Sequence, residues 1–197
     1  MSAALFEELL RRYAEPHRHH HDTRHLAEVM DVVDELAGQA DDVEVVRLAA
    51  WFHDAVYEPR RADNEERSAA LAEQVLPRLG MPDAQTREVA RLVRLTTRHD
   101  PAPGDRNGAL LCDADLAVLA SPETRYREYA AAVRAEHAEL DDPDFASGRA
   151  EVLRDLLARD TLFHTEPGRA RWEAKARLNV HRELTELTGV GRAGSPS

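Results

Sequence analysis

Apolar residues recur every three or four positions along most of the chain, which is the pattern of amphipathic helices. In one such segment Leu26, Val29 and Val33 fall on the same side of a helix that ends near Gly38. No run of alternating β-branched residues indicates a strand. The pattern predicts helices over residues 26–40, 41–57, 63–80, 82–99, 109–120, 122–140, 145–160 and 167–188. We therefore predict an all-α fold.

The length of the chain, 197 residues, is typical of one domain. We predict a single helical bundle over residues 1–188. The last nine residues, "GVGRAGSPS" at 189–197, are small and polar, so we expect a disordered tail there. The one clear long loop is "DPAPGDRNG", residues 100–108.

Charge and composition exclude several classes of function. A net charge of −11 argues against a nucleic-acid polymer or an anionic membrane as partner. No stretch approaches the ~18–20 apolar residues of a membrane span, and "MSAALFEELLRR" lacks the pattern of a secretion signal. The single cysteine, Cys112, fits a reducing compartment. We expect a cytoplasmic protein, and one locally cationic site would still allow a phosphorylated substrate.

Two polar residues, His53 and Asp54, interrupt the otherwise apolar run "LAAWFHDAVY" at residues 48–57. Apolar residues on both sides of this helix predict that it is central and largely buried. An unpaired carboxylate in such a place is very costly, so the pair needs partners. A divalent cation could neutralise Asp54 and accept the His53 lone pair. A core His–Asp pair with only a structural role is the alternative.

The run "HRHHHDTRH", residues 17–25, holds five histidines and is internal, so it does not resemble a purification tag. If Asp22 or Thr23 caps the next helix, His25 lies in the first turn and points into the core. His21 is one turn earlier and could reach the same pocket. The remaining histidines are expected to be solvated loop residues: His17, His19 and His20.

In "ALLCDADLAVLA" two aspartates, Asp113 and Asp115, interrupt another apolar helix. Residues two apart point about 200° from each other, so both cannot enter one pocket. Asp115 shares a stripe with Leu111 and Val118, so it is the better candidate to enter the pocket. Asp113 suits a helix N-cap or a contact behind the ligands, and a capping role for both is the alternative.

Other polar positions are weaker candidates. His99 follows an apolar stripe and could reach the site from the loop, or it could simply cap its helix. Glu65 lies near an apolar stripe and is a candidate catalytic residue, although acidic residues in a first turn often serve the helix dipole. Glu66 is predicted to point outward, and His137 is predicted to be a core residue.

These residues together resemble the signature of the HD superfamily of metal-dependent phosphohydrolases: an early His, an adjacent His-Asp pair, and a later Asp in an "AD" step. The segments "RYAEPHRHHHDTRH", "WFHDAVYEPRRADNEERSA", "LLCDADLAVLASPETRYREYAAAVRAEH" and "GRAEVLRDLLARDTLF" are similar to a small subgroup described as predicted HD hydrolases. The resemblance covers about residues 10–185. The subgroup often has Tyr in the place of His20 and Asn in that of Asp22. The resemblance implies four metal ligands: His25, His53, Asp54 and Asp115.

The resemblance implies hydrolysis of a phosphomonoester or a pyrophosphate in a small, nucleotide-like substrate, with a metal-activated water as nucleophile. Ligands of nitrogen and oxygen suit Mn²⁺, Mg²⁺, Fe²⁺, Co²⁺, Ni²⁺ or Zn²⁺. Asp54 or Glu65 could accept the proton. Residues that could bind the substrate are His21, Arg24, Arg60, Arg61, Arg67, Arg98 and His99.

Two other functions stay open. The chain could be a regulatory module that binds a metal or a nucleotide without turnover, and metal storage through the histidine run is a weaker alternative. The oligomeric state also stays open, with a homodimer among the alternatives.

Overall fold

The computed structural model describes residues 3–190, which form nine α-helices and no β-strand. The helices are α1 (Ala3–Tyr13), α2 (Thr23–Glu35), α3 (Val43–Phe52), α4 (Asn64–Val75), α5 (Asp83–Leu95), α6 (Arg106–Leu116), α7 (Glu123–Glu136), α8 (Asp142–Ala158) and α9 (Glu166–Val190). Short 3₁₀ turns span Ala37–Gln39, Pro77–Leu79 and Ala117–Ala120. The predicted all-α fold is confirmed. Within residues 3–190, none of the helices has the length and apolar character that crossing a membrane requires.

The chain divides into two compact units, a first unit of residues 1–115 and a second unit of residues 116–197. The single domain over residues 1–188 stays a prediction. Of the tail that was expected to be disordered, Gly189 and Val190 belong to α9, and residues 191–197 lie outside the described residues.

Helix α3 is the central helix of the first unit, where it packs against α2, α4 and α5. Asp42 caps its N-terminus by accepting a hydrogen bond from the Val45 amide at 3.2 Å. Buried residues lie on more than one side of the helix: Val45, Val46, Ala49, Ala50 and Phe52. The expected burial of this helix is therefore confirmed.

The end of α3 differs from the prediction, because the helix stops at Phe52 rather than continuing to residue 57. The Asp54 amide donates to the Tyr13 hydroxyl at 3.2 Å, and the Val56 amide donates to the Ser68 hydroxyl at 3.0 Å. These two amides are thus satisfied by side chains of α1 and α4 instead of by the preceding helical turn. His53 and Asp54 consequently lie at the C-terminal end of α3.

Helices α1 and α2 bring the N-terminal part of the chain to the C-terminal end of α3. Helix α1 was not predicted from the sequence, and its buried residues are Leu5, Leu9 and Tyr13. Asp22 caps α2 and accepts hydrogen bonds from the amides of Arg24 at 2.9 Å and His25 at 3.1 Å. Of the two expected caps, Asp22 is therefore the one used, and His25 lies in the first turn as predicted.

A glycine allows the start of α6 to lie close to its neighbours. A Cβ atom at Gly108 would collide with the side chains of Asp105 and Leu95. Asp105 accepts the Gly108 amide at 2.9 Å and also pairs with Arg91 of α5 at 2.8 Å. These contacts fix α6 in the first unit, with Asp115 near its C-terminal end.

In the second unit, α8 packs against α9, and the 3₁₀ turn after α6 packs against α7 and α9. A buried ion pair joins Arg149 Nε to Glu183 Oε1 at 2.8 Å. The Tyr126 hydroxyl donates to Glu183 at 2.6 Å, and Arg149 donates to the Tyr129 hydroxyl at 3.0 Å. The charged pair is therefore hydrogen-bonded on both sides, as burial of charge requires.

Candidate metal site

Four side chains of the first unit meet in one place: His25 from α2, His53 and Asp54 from the end of α3, and Asp115 from α6. We call these four residues the His–Asp cluster. The Nε2 atoms of the two histidines are 3.2 Å apart. His53 Nε2 is 3.0 Å from an Asp54 oxygen, and His25 Nε2 is 3.0 Å from an Asp115 oxygen. The imidazoles are almost fully buried, whereas the Asp54 and Asp115 side chains are 13% and 14% exposed.

A backbone contact fixes the orientation of the His53 ring. Its Nδ1 atom is 2.7 Å from the Ala50 carbonyl oxygen, which can only accept, so Nδ1 carries the proton. When Nε2 is unprotonated it presents its lone pair to the cluster, which is the arrangement that metal-binding histidines use. His25 also directs Nε2 to the cluster, and its buried Nδ1 has no hydrogen-bond partner among the described residues.

The histidines and the carboxylates of the cluster stabilise each other in their charged forms. Burial lowers the pKa of His53, but the negative charges of Asp54 and Asp115 outweigh this effect and raise it to about 10. Burial opposes ionisation of Asp54, yet the positive charges of His53 and His21 hold its pKa well below the usual value. The pKa of Asp115 is lowered too, against its burial, by His53, His25 and His99. Two buried carboxylates therefore require positive charge between them.

A divalent cation fits this donor set, which has two imidazoles, two carboxylates and no thiolate. One atom each of His25, His53 and Asp54 lies within 4.8 Å of the others, so these three residues could hold a metal ion. Ligands bound at about 2.1 Å on adjacent positions lie roughly 3 Å apart. The separations of 3.0 and 3.2 Å between the histidines and their neighbours match that spacing.

A family model for the HD domain matches residues 23–139, which is more than half of the chain. The chain belongs to the HD domain family. Members of this family are generally metal-dependent phosphohydrolases, and all four residues of the His–Asp cluster lie within the matched region. No curated protein and no solved structure matches the chain.

His99 reaches the site of this HD domain through Asp115. Its Nε2 atom is 2.7 Å from Asp115 Oδ2, whereas Asp115 Oδ1 faces His25. The residue follows α5 with a positive φ of 50°, an uncommon conformation for a side chain other than glycine. His99 thus reaches the site from the loop after α5, as expected, and it contacts Asp115.

The expectation that His20 is a solvated loop residue was wrong. His17 and His19 are exposed, but His20 is only 8% exposed. Its ring centroid lies 4.5 Å from that of His25 and 4.7 Å from that of His21, so ring packing removes it from water. The His21 ring in turn stacks on Tyr57, with centroids 4.1 Å apart.

Three other polar residues that the sequence singled out lie outside the His–Asp cluster: Asp113, Glu65 and His137. Asp113 is fully buried inside α6, so it does not cap that helix. Glu65 is half-buried in the first turn of α4, and no hydrogen bond or ion pair among residues 3–190 joins it to the His–Asp cluster. Its catalytic role stays a prediction. His137 is half-buried at the end of α7 in the second unit, rather than in the core.

The arginines considered for phosphate binding lie mostly on the surface. Three of them pair with carboxylates: Arg24 with Glu28, Arg61 with Asp63 and Arg67 with Glu58. Arg60 and Arg98 are exposed. Surface ion pairs contribute little, so an incoming phosphate could replace these partners. Glu66 points outward as predicted and pairs with Arg94 at 2.7 Å.

Sequence reasoning missed two residues beside the cluster, Tyr13 and Arg18. Tyr13 continues the apolar stripe of Leu5 and Leu9, so a helical interpretation of the N-terminus would have found it. No local signal separates Arg18 from the many other arginines of the chain. Its partners are 36 and 37 residues away in sequence, on the turn that follows α3.

Proposed function

We propose that this HD domain is a metal-dependent phosphohydrolase that acts on a small phosphorylated, nucleotide-like substrate. The observation that supports the proposal is the convergence of His25, His53, Asp54 and Asp115 within 3.0–3.7 Å of their neighbours. The imidazoles are shielded from water, whereas the two carboxylates retain an exposed edge. A substrate can therefore approach from the carboxylate side.

His25 and His53 would hold a divalent ion through Nε2, and Asp54 and Asp115 would each contribute one carboxylate oxygen. An ion bound there would supply Lewis-acid chemistry, lowering the pKa of a bound water and polarising a phosphoryl oxygen. The proton of the attacking water then needs an acceptor.

Asp54 is better placed than Asp115 to accept this proton. Asp54 faces both histidines of the cluster with the same oxygen, Oδ2, which is 3.0 Å from His53 and 3.7 Å from His25. Both Asp115 oxygens are engaged, one by His25 and one by His99. Glu65 remains the alternative acceptor. The planar guanidinium groups of Arg24, Arg61 and Arg67 are suited to phosphate oxygens and would bind the substrate.

Two substitutions test the proposal, His53→Ala and Asp54→Ala. Each should weaken Mn²⁺ binding by at least about 100-fold, because it removes a ligand rather than a group behind one. Each should also abolish phosphate release from a panel of nucleoside mono-, di- and triphosphates and sugar phosphates. Matched controls are His181→Ala in α9 and Asp31→Ala in α2, both at exposed positions.

The outcomes separate the two classes of function. Unchanged turnover in either cluster variant contradicts the proposal. Stoichiometric Mn²⁺ binding that depends on His53, without hydrolysis of any compound in the panel, favours the regulatory module.

A further inference from the structure

Arg18 lies in the histidine run but has no part in the mechanism above. Its side chain is 0% exposed, although arginine is rarely buried unless every donor is satisfied. Burial of a guanidinium costs several kcal/mol without such partners. The burial of Arg18 therefore requires specific partners for its guanidinium group.

The donors of Arg18 are directed at two backbone segments. Nη1 donates to the Asp54 carbonyl at 2.6 Å and to the His21 carbonyl at 3.0 Å. Nη2 donates to the Ala55 carbonyl at 3.4 Å. The guanidinium thus links the histidine run to the turn that carries Asp54. Carbonyls at the end of a helix lack helical partners, so a cation is favoured there.

Two tyrosine rings enclose the guanidinium and complete its surroundings. The Arg18 guanidinium carbon lies 5.3 Å from the Tyr13 ring centroid and 5.5 Å from that of Tyr57, within the range of cation–π attraction. Nε donates to Glu15 at 3.0 Å, which supplies the negative charge.

Both backbone polar groups of Asp54 are consequently held by side chains. Arg18 binds its carbonyl at 2.6 Å, and the Tyr13 hydroxyl accepts its amide at 3.2 Å. The Tyr13 hydroxyl also donates to the Trp51 carbonyl at 3.3 Å. These contacts fix the peptide units on either side of the Asp54 Cα, and hence the position from which its carboxylate extends into the cluster.

We infer that Arg18 is a positioning residue for Asp54, holding this carboxylate where it can share an ion with His25 and His53. The inference rests on the proposed function. Lysine cannot replace Arg18, because one ammonium group cannot present a planar fork to several carbonyls at once. A displacement of Asp54 by about 1 Å would be enough to lower turnover 100-fold.

The test is Co²⁺ binding to the metal-free full chain, comparing wild type with Arg18→Lys and Arg18→Gln. Loss of a group that orients a ligand typically weakens metal affinity 10–100-fold. We expect that loss in both variants, together with a changed visible absorption of bound Co²⁺ and a lower kcat at nearly unchanged KM.

Arg177 of the second unit offers a matched control. Its guanidinium also donates to backbone carbonyls, those of Leu157, Arg159 and Asp160, and it pairs with Glu173. Arg177→Gln should lower the melting temperature but leave Co²⁺ affinity and absorption as in wild type. A purely structural role for Arg18 predicts that both arginines behave alike.

Three results would overturn one or both proposals. Wild-type Co²⁺ affinity and spectrum in the folded Arg18 variants overturn the positioning role alone. Failure of both Arg18 variants to fold, judged by circular dichroism, also overturns it, because Arg18 would then be a folding residue. Absence of Co²⁺ binding to wild type overturns the proposed function itself.

Discussion

His25 and His53 direct their Nε2 atoms at each other across 3.2 Å. Two imidazolium groups could not approach so closely, so the gap between them suits a shared proton or a shared cation. Each ring also faces its own carboxylate at 3.0 Å, Asp115 for His25 and Asp54 for His53. A cation could therefore be held by His25, His53 and Asp54, and Asp115 Oδ1 lies 3.0 Å from His25 and 3.7 Å from His53.

Metal binding should stabilise the first unit. Saturation at about 100 times the dissociation constant adds about 2.7 kcal/mol to the free energy of unfolding. The chain has two tryptophans, and Trp51 lies two residues before His53 and packs against Phe6 with centroids 4.8 Å apart. In a Trp172→Phe background, Trp51 fluorescence can follow unfolding of the first unit with and without Mn²⁺.

The matched variant for this measurement is His53→Ala, in which the Mn²⁺-dependent gain should vanish. An equal gain in that variant would show that the ion binds elsewhere.

The two aspartates of "DAD" should behave differently. Asp115 contacts His25, whereas Asp113 lies two positions earlier and is fully buried within α6. Asp115→Asn should weaken Mn²⁺ binding at least about 100-fold, because a ligand charge is lost. Asp113→Asn should lower the melting temperature while leaving the dissociation constant within about threefold. Isothermal titration of both variants tests this, and the reverse order of effects would reassign the fourth ligand to Asp113.

Local pattern was sufficient to indicate three residues of the His–Asp cluster, because a polar residue within an apolar helical run is visible in the sequence alone. His53, Asp54 and Asp115 all have that signature. The pattern also predicted the helical class and the burial of α3.

The features that the local pattern did not predict depend on contacts between segments that are distant in sequence. The end of α3 depends on the Tyr13 hydroxyl, 41 residues from Asp54. His20 is buried because neighbouring rings pack on it, and Arg18 is buried because carbonyls more than 30 residues away accept its protons. No periodicity in the sequence reports such partners.

His99 should contribute to metal affinity through Asp115. Its hydrogen bond at 2.7 Å leaves Asp115 only one oxygen for an ion and fixes the direction of that oxygen. His99→Ala should therefore weaken Mn²⁺ binding about 10-fold, the lower end of the effect of removing such a contact. Thr97→Ala, at an exposed neighbouring position, is the control. Equal dissociation constants in the two variants would exclude this role.

The second unit should lose stability at alkaline pH through Tyr126. Burial, together with the charge of Glu183 and the hydrogen bond to it, raises the pKa of Tyr126 well above 10. Above about pH 10 the unfolded chain loses this proton and the folded chain keeps it, so the folded state binds more protons. The free energy of unfolding should then fall by about 1.4 kcal/mol per pH unit for this one group, and Tyr126 should contribute no slope below about pH 9.

Urea unfolding between about pH 8 and pH 11 measures this effect, with Trp172 as reporter in a Trp51→Phe background. Trp172 packs against Phe163 in the core of the second unit, with centroids 5.4 Å apart. Tyr126→Phe should be less stable at pH 8, because Glu183 loses a donor, but its alkaline slope should be smaller by one proton. A slope unchanged by the substitution would mean that Tyr126 ionises equally in both states, and the buried hydrogen bond at 2.6 Å would then not hold its proton.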